Sequence, residues 1–176
     1  KEVTVVVELM ARFDEEANIE WATRLEQVGA HVVYGVVGYK VHAKALLIVR
    51  REEGHLKRYA HLGTGNYHPR TARLYSDFGL MTANDEITQD VNEVFKQLTG
   101  LGKAQALQHV WMAPCTLQPN VVAAIGKEAE AAKAGKKAIV VAKMNALREP
   151  ETIDALYQAS QAGVQIELMI RGVCGL

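Results

Sequence analysis

Cysteine is scarce in this chain: Cys115 and Cys174 stand far apart and without metal-type spacing. That argues against a disulfide scaffold and for a reducing compartment, so the cytoplasm is the expected location. An excess of one charge is missing too. Lysine and arginine number 20 and aspartate and glutamate 20, so attraction to a polyanion must come from a local cluster. No run is long and apolar enough to span a bilayer, and the Lys1-Glu2 start carries no signal-peptide pattern. There is no G-x-x-x-x-G-K-[ST]; Gly100-Leu101-Gly102-Lys103-Ala104 lacks both the hydroxyl and the spacing, which excludes a P-loop. What is present is 176 residues, 49% hydrophobic and 23% charged, enough to build a core in one or two α/β units.

Val3-Thr4-Val5-Val6-Val7 reads as a core strand, so the chain is expected to begin inside a domain. Asp14 is placed to cap a helix over Glu15 to Val28, with Ile19, Ala22, Leu25 and Val28 at helical spacing and Gly29 as its stop. His31 to Tyr34 then resumes as a strand. The same plan recurs: a strand over Lys137 to Lys143, a helix from Pro150 to Ala162 stopped by Gly163, and a strand from Gln165 to Ile170. Ile19, Gln27, Gly29 and Gly38 match Ile153, Gln161, Gly163 and Gly172 at one constant offset, which implies two related units in succession. Leu98 to Lys103 reads as the linker, and Trp111 to Leu117 opens the second unit. Lys127 to Lys133 alternates charge as the solvated face of a helix does.

The chemistry is expected around Lys40-Val41-His42-Ala43-Lys44. Read as a strand, this segment puts Lys40, His42 and Lys44 on one face, and the apolar run Ala45 to Val49 places that face at a cleft. Glu53-Gly54 reads as a hairpin tip, with Leu56 to Leu62 as the returning strand. That pairing sets His42 opposite Gly65 and Lys44 opposite Gly63, with His61 on the same face. Gly63-Thr64-Gly65-Asn66 would then lie beside His42 as a turn whose amide N–H groups and side-chain donors face an anion. Such a string alone is an ordinary turn. Beside an H-x-K pair it acquires a chemical reading. A neutral imidazole is a nucleophile whose N–P bond is labile enough to pass phosphate on, and a nearby lysine offsets charge on the transferring group.

His42-Ala43-Lys44, His61 to Asn66, Thr71 to Asp77, Ala11 to Ile19, Met144 to Leu147 and Arg171 to Cys174 together resemble bacterial polyphosphate kinases of the type related to phospholipase D. The resemblance covers nearly the whole chain. It implies an α/β fold of phospholipase D-like mixed sheets flanked by helices, in two successive incomplete units. Residues 1–105 would be the later part of a first domain and 106–176 the opening part of a second. It further implies reversible, ATP-dependent extension of polyphosphate through a phosphohistidine at His42, with Lys44, His61 and Asn66 also catalytic. Gly63, Thr64 and Gly65 would bind phosphate, and the family's nucleotide-binding tyrosine and arginine fall on Tyr75 and Arg171.

An arginine of the family's magnesium site falls on Arg12. A guanidinium has no lone pair, so Arg12 is expected to hold phosphate oxygens that Mg2+ also holds. The partners implied are ATP or ADP and inorganic polyphosphate, with no nucleic acid, in a homo-oligomer peripheral to the inner membrane. A second catalytic histidine would lie beyond Leu176, so this stretch is expected to be inactive alone. Phospholipase D patterns carry aspartate five positions after the lysine of H-x-K; Val49 stands there, which counts against a diesterase. The rival readings are a phospholipase D-like phosphodiesterase or phosphatidyl transferase, and a non-catalytic polyanion-binding module.

Overall fold

A computed structural model describes residues 2–9, 15–36, 38–102 and 106–176, so Arg12 and the Asp14 cap lie outside the described residues. Two compact units divide the chain, Lys1–Val110 and Trp111–Leu176. Each contains a parallel β-α-β element. In the first, β1 (Thr4–Val7) and β2 (His31–Tyr34) pair in parallel around α1 (Glu15–Gln27). In the second, β6 (Ile139–Met144) and β7 (Gln165–Ile170) pair in parallel around α5 (Pro150–Gln161).

The helix stops share one geometry. Gly29 and Gly163 adopt φ of +87° and +95°, a left-handed conformation that glycine enters at little cost. The N–H of Gly29 bonds to Glu26 O at 2.9 Å and that of Gly163 to Ser160 O at 3.0 Å. The next amides, of Ala30 and Val164, bond to Leu25 O and Ala159 O, each at 3.0 Å. These four pairs lie at the same offset as the repeat in the sequence.

The first unit adds an antiparallel three-stranded sheet in the order β3 (Lys44–Glu52), β4 (His55–Gly63), β5 (Gly79–Thr82). Its tip is a two-residue turn in which Glu53 and Gly54 both take positive φ, 50° and 83°. Such turns match the twist of paired strands. The short helix α2 (Pro69–Leu74) lies between β4 and β5, and α3 (Asp85–Leu98) packs on β3 and β4.

One carboxylate on α3 deals with a backbone demand. Asp90 is 5% exposed, and its Oδ2 accepts the N–H groups of Gln108, His109 and Val110 at 2.9, 2.6 and 2.9 Å. Residues 108–110 are thereby tied to α3.

Among the described residues the second unit has the larger apolar core. Ile125 and Ala129 of α4 (Leu117–Lys133) join Ala138, Leu147, Leu156, Ala159 and Val164 in one buried cluster. The alternating-charge run Lys127 to Lys133 lies on α4, whose inner face supplies Ala129. Among the described residues no helix is long and apolar enough to cross a membrane.

Candidate active site

The H-x-K segment departs from the strand the sequence implied. The ladder starts at Lys44, paired with Gly63 as expected, but residues 40–43 precede it without strand pairing, so His42 has no partner at Gly65. A distant carboxylate holds this segment. Glu8, the first residue after β1, accepts the Val41 N–H at 2.7 Å through Oε2, while its own carbonyl accepts from Asn18 Nδ2 at 2.9 Å. The Val41 amide is thus bound to the residue that follows the first strand of the parallel pair. His42 is exposed among the described residues of the first unit.

Lys44 folds back over His42. Its Nζ donates to the His42 carbonyl at 2.6 Å and lies 3.2 and 3.3 Å from ring nitrogens Nδ1 and Nε2. An ammonium this close opposes a second positive charge on the imidazole. The His42 pKa is accordingly lowered, first by Lys44, then by burial, then by Lys40. The neutral, nucleophilic form therefore persists to lower pH than for an ordinary histidine. Lys44 is itself lowered by burial, against which the Asp77 carboxylate acts to keep it charged.

Register carries His61 to the same face as Lys44: His61 lies between Leu46 and Met81, and the neighbouring row is Lys44, Gly63, Gly79. The His61 Nδ1 lies 2.6 Å from the Tyr67 hydroxyl.

The glycine-rich loop is closed against the start of β5. The Thr64 N–H bonds to Phe78 O at 3.0 Å, and Thr64 Oγ1 accepts the Phe78 N–H at 2.9 Å. Thr64 Oγ1 also donates to Asp77 Oδ1 at 3.2 Å. Gly65 lies so close to Asp77 that a Cβ there would overlap the carboxylate, and even Asp77 Cβ would stand at 3.0 Å. Asn66 is exposed, and its carbonyl accepts the His68 N–H at 2.8 Å. His42, Lys44, His61 and the loop thus belong to one end of the hairpin. Asp77, Glu8 and Tyr67 join them there, although nothing in the local sequence pattern assigns them to the site.

Tyr75 caps the carboxyl end of α2, its N–H bonded to Thr71 O at 3.1 Å, and is 49% exposed. Arg171 follows β7 directly, at the carboxyl end of the parallel pair in its own unit, the end where such sheets collect ligands. Its Nε donates to Asn145 Oδ1 at 2.9 Å, and the Gly172 N–H bonds to Asn145 O at 2.7 Å. A Cβ on Gly172 would stand 3.0 Å from that carbonyl, so glycine permits the approach.

Two successive β-α-β units, the first extended by an antiparallel hairpin, define a phospholipase D-like α/β protein. Residues 1–104 match the family described as polyphosphate kinase C-terminal domain 1, and residues 110–176 match polyphosphate kinase C-terminal domain 2. The chain belongs to the polyphosphate kinase family. It is 66% identical over 180 residues to a polyphosphate kinase of Paraburkholderia phytofirmans and 64% to one of Burkholderia multivorans. Both alignments take in 100% of this chain and 26% of the relative, so the chain spans about a quarter of the length of these relatives. The crystal structure of polyphosphate kinase from Porphyromonas gingivalis superposes with a TM-score of 0.85 at 41% identity. That match covers 99% of this chain and 29% of the other.

Proposed function

We propose that this chain carries the phosphoryl-accepting part of a polyphosphate kinase, with His42 as the nucleophile. The observation that carries the reading is Lys44 Nζ held against the His42 ring and carbonyl. A lone pair of the neutral imidazole attacks the γ-phosphorus of ATP. The N–P bond forms as the bond to the departing ADP oxygen breaks, and the terminal oxygen of a polyphosphate chain then takes the phosphoryl group. Lys44 offsets charge on the transferring group, and Gly65 and Asn66 of the loop, with His61, offer donors to its oxygens, while Thr64 gives its own donors to Phe78 and Asp77 and shapes the turn. Tyr75 and Arg171 serve the nucleotide. The first unit is the later part of one phospholipase D-like domain, and the second unit opens another.

Magnesium would supply charge neutralisation on the nucleotide phosphates. Among the described residues no three histidine, cysteine, aspartate or glutamate side chains gather as a metal cage. The ion's ligands would come from water and substrate phosphate, with Arg12 on the same oxygens. The whole enzyme is proposed as a homo-oligomer in the cytoplasm, peripheral to the inner membrane.

The test uses a full-length polyphosphate kinase carrying this segment, incubated with ATP labelled in its γ-phosphate. An acid-labile, alkali-stable phosphoenzyme is expected, and His42→Ala should abolish it. Undiminished labelling of that variant overturns the assignment, and release of alcohol from a phosphodiester would favour the diesterase.

A further inference from the structure

His61 rests in a socket built from three residues that its proposed catalytic role does not explain. It lies on β4 between Leu46 and Met81, but its ring leans over the next row, where Gly63 and Gly79 face each other. A Cβ on Gly63 would stand 3.1 Å from His61 Cε1, and one on Gly79 would stand 2.9 Å from His61 Nε2. Any other residue at either position would push the ring aside. The third wall is Tyr67, its ring centroid 5.5 Å from that of His61 at 46° and its hydroxyl 2.6 Å from Nδ1. Among the described residues Nε2 has no hydrogen-bond partner.

We propose that Tyr67 is a positioning residue that donates its hydroxyl proton to His61 Nδ1 and so holds the imidazole as the Nε2–H tautomer. Burial raises the Tyr67 pKa, so the phenol keeps the proton it donates. With Nδ1 occupied as an acceptor, a neutral ring must carry its hydrogen on Nε2. Nε2 then presents an N–H on the face that also carries Lys44, which suits an anionic phosphoryl oxygen. A histidine poised as a base would present a lone pair there. This inference rests on the function proposed above.

The experiment compares full-length kinase carrying this segment with its Tyr67→Phe variant, which keeps the ring and removes the hydroxyl. The first readout is independent of activity: carbethoxylation of His61 by diethyl pyrocarbonate, followed on the isolated peptide. Freeing Nδ1 should raise labelling severalfold. The second is the rapid-quench rate of phosphoenzyme formation, expected to fall about fivefold at neutral pH, the worth of one hydrogen bond. Raised labelling with a rate deficit supports the proposal. Unchanged labelling or an unchanged rate overturns it. If the parent enzyme forms no phosphohistidine at His42, the function proposal fails and His61 labelling alone decides this one.

Discussion

The two β-α-β elements share their turns but differ in the side chains they bury and in the residues just past their strands. Ala22 of α1 and Leu156 of α5 occupy equivalent positions, 0% and 4% exposed, yet Leu156 belongs to a cluster of seven buried residues. Ile19 is 55% exposed, while its counterpart Ile153 packs against that cluster. The first residue after the first strand differs as well. In the second unit Asn145 engages Arg171 through side chain and Gly172 through backbone; in the first, Glu8 reaches across 33 residues to the amide next to His42. The backbone plan therefore comes from glycine stops and parallel pairing. Stability and chemistry are added separately to it.

The sharpest way to break this comparison is through the core. Leu156→Ala should destabilise the second unit by about 2–5 kcal/mol, the usual cost of deleting a buried leucine side chain. Ile19→Ala, at an exposed position, should cost the first unit under about 0.5 kcal/mol. Urea titration can follow the units separately, because Trp21 belongs to the first and Trp111 to the second, and phenylalanine replacing either leaves the other as reporter. Equal losses in the two variants would mean that burial does not distinguish the repeats.

Next in size is the loop. Gly65→Ala forces the Asp77 carboxylate away from its place, and overpacking of this kind costs about 1–3 kcal/mol. Phosphoenzyme formation should fall by at least about fivefold, the equivalent of that lower bound. Gly126→Ala is the control in the second unit, since a Cβ there meets nothing within 4 Å and alanine suits a helix better than glycine. A silent Gly65→Ala would remove the loop from the site.

How much of this was legible in the sequence depends on the range of the interaction involved. Gly29, Gly163 and Glu53-Gly54 announce themselves because positive φ is a local demand with a local residue preference. β7 was readable to the residue, and the Lys44 to Gly63 pairing came from the turn. Period-two reading failed at residues 40–43, where the ladder has ended and the Val41 amide bonds to Glu8, a partner no local pattern contains. Asp77 and Tyr67 escaped for the same reason. Asp77 reaches the glycine loop only through β4–β5 pairing, and Tyr67 meets His61 only after the chain turns at Gly65. The signal that could have flagged Tyr67 is a hydroxyl-bearing side chain directly after the G-T-G-N string.

A smaller effect tests the electrostatics of the hairpin end. Lys44 is the largest cause of the lowered His42 pKa, so the acidic limb of the phosphorylation rate should lie below about 6.5. Lys44→Met removes that cause and should move the limb upward toward the ordinary histidine value. Burial and Lys40 remain and keep it from arriving there. The rate itself should fall as charge on the transferring group loses its counterion. A limb that stays in place would show that Lys44 does not govern His42 protonation.

The smallest expected change isolates Asp77. Its charge opposes the effect of burial on Lys44, so Asp77→Asn should lower the Lys44 pKa further, while an asparagine oxygen still accepts from Thr64. Less of Lys44 is then charged at a given alkaline pH, and the alkaline limb of phosphoenzyme formation moves down. At neutral pH the ammonium persists and the rate should change little, because burial of Lys44 is partial. A rate profile in full-length enzyme carrying this segment, run from neutral to alkaline pH, reads the difference. If the neutral rate collapses while the alkaline limb stays put, Asp77 acts on the loop through Thr64 and Gly65, and its charge is not what the site uses.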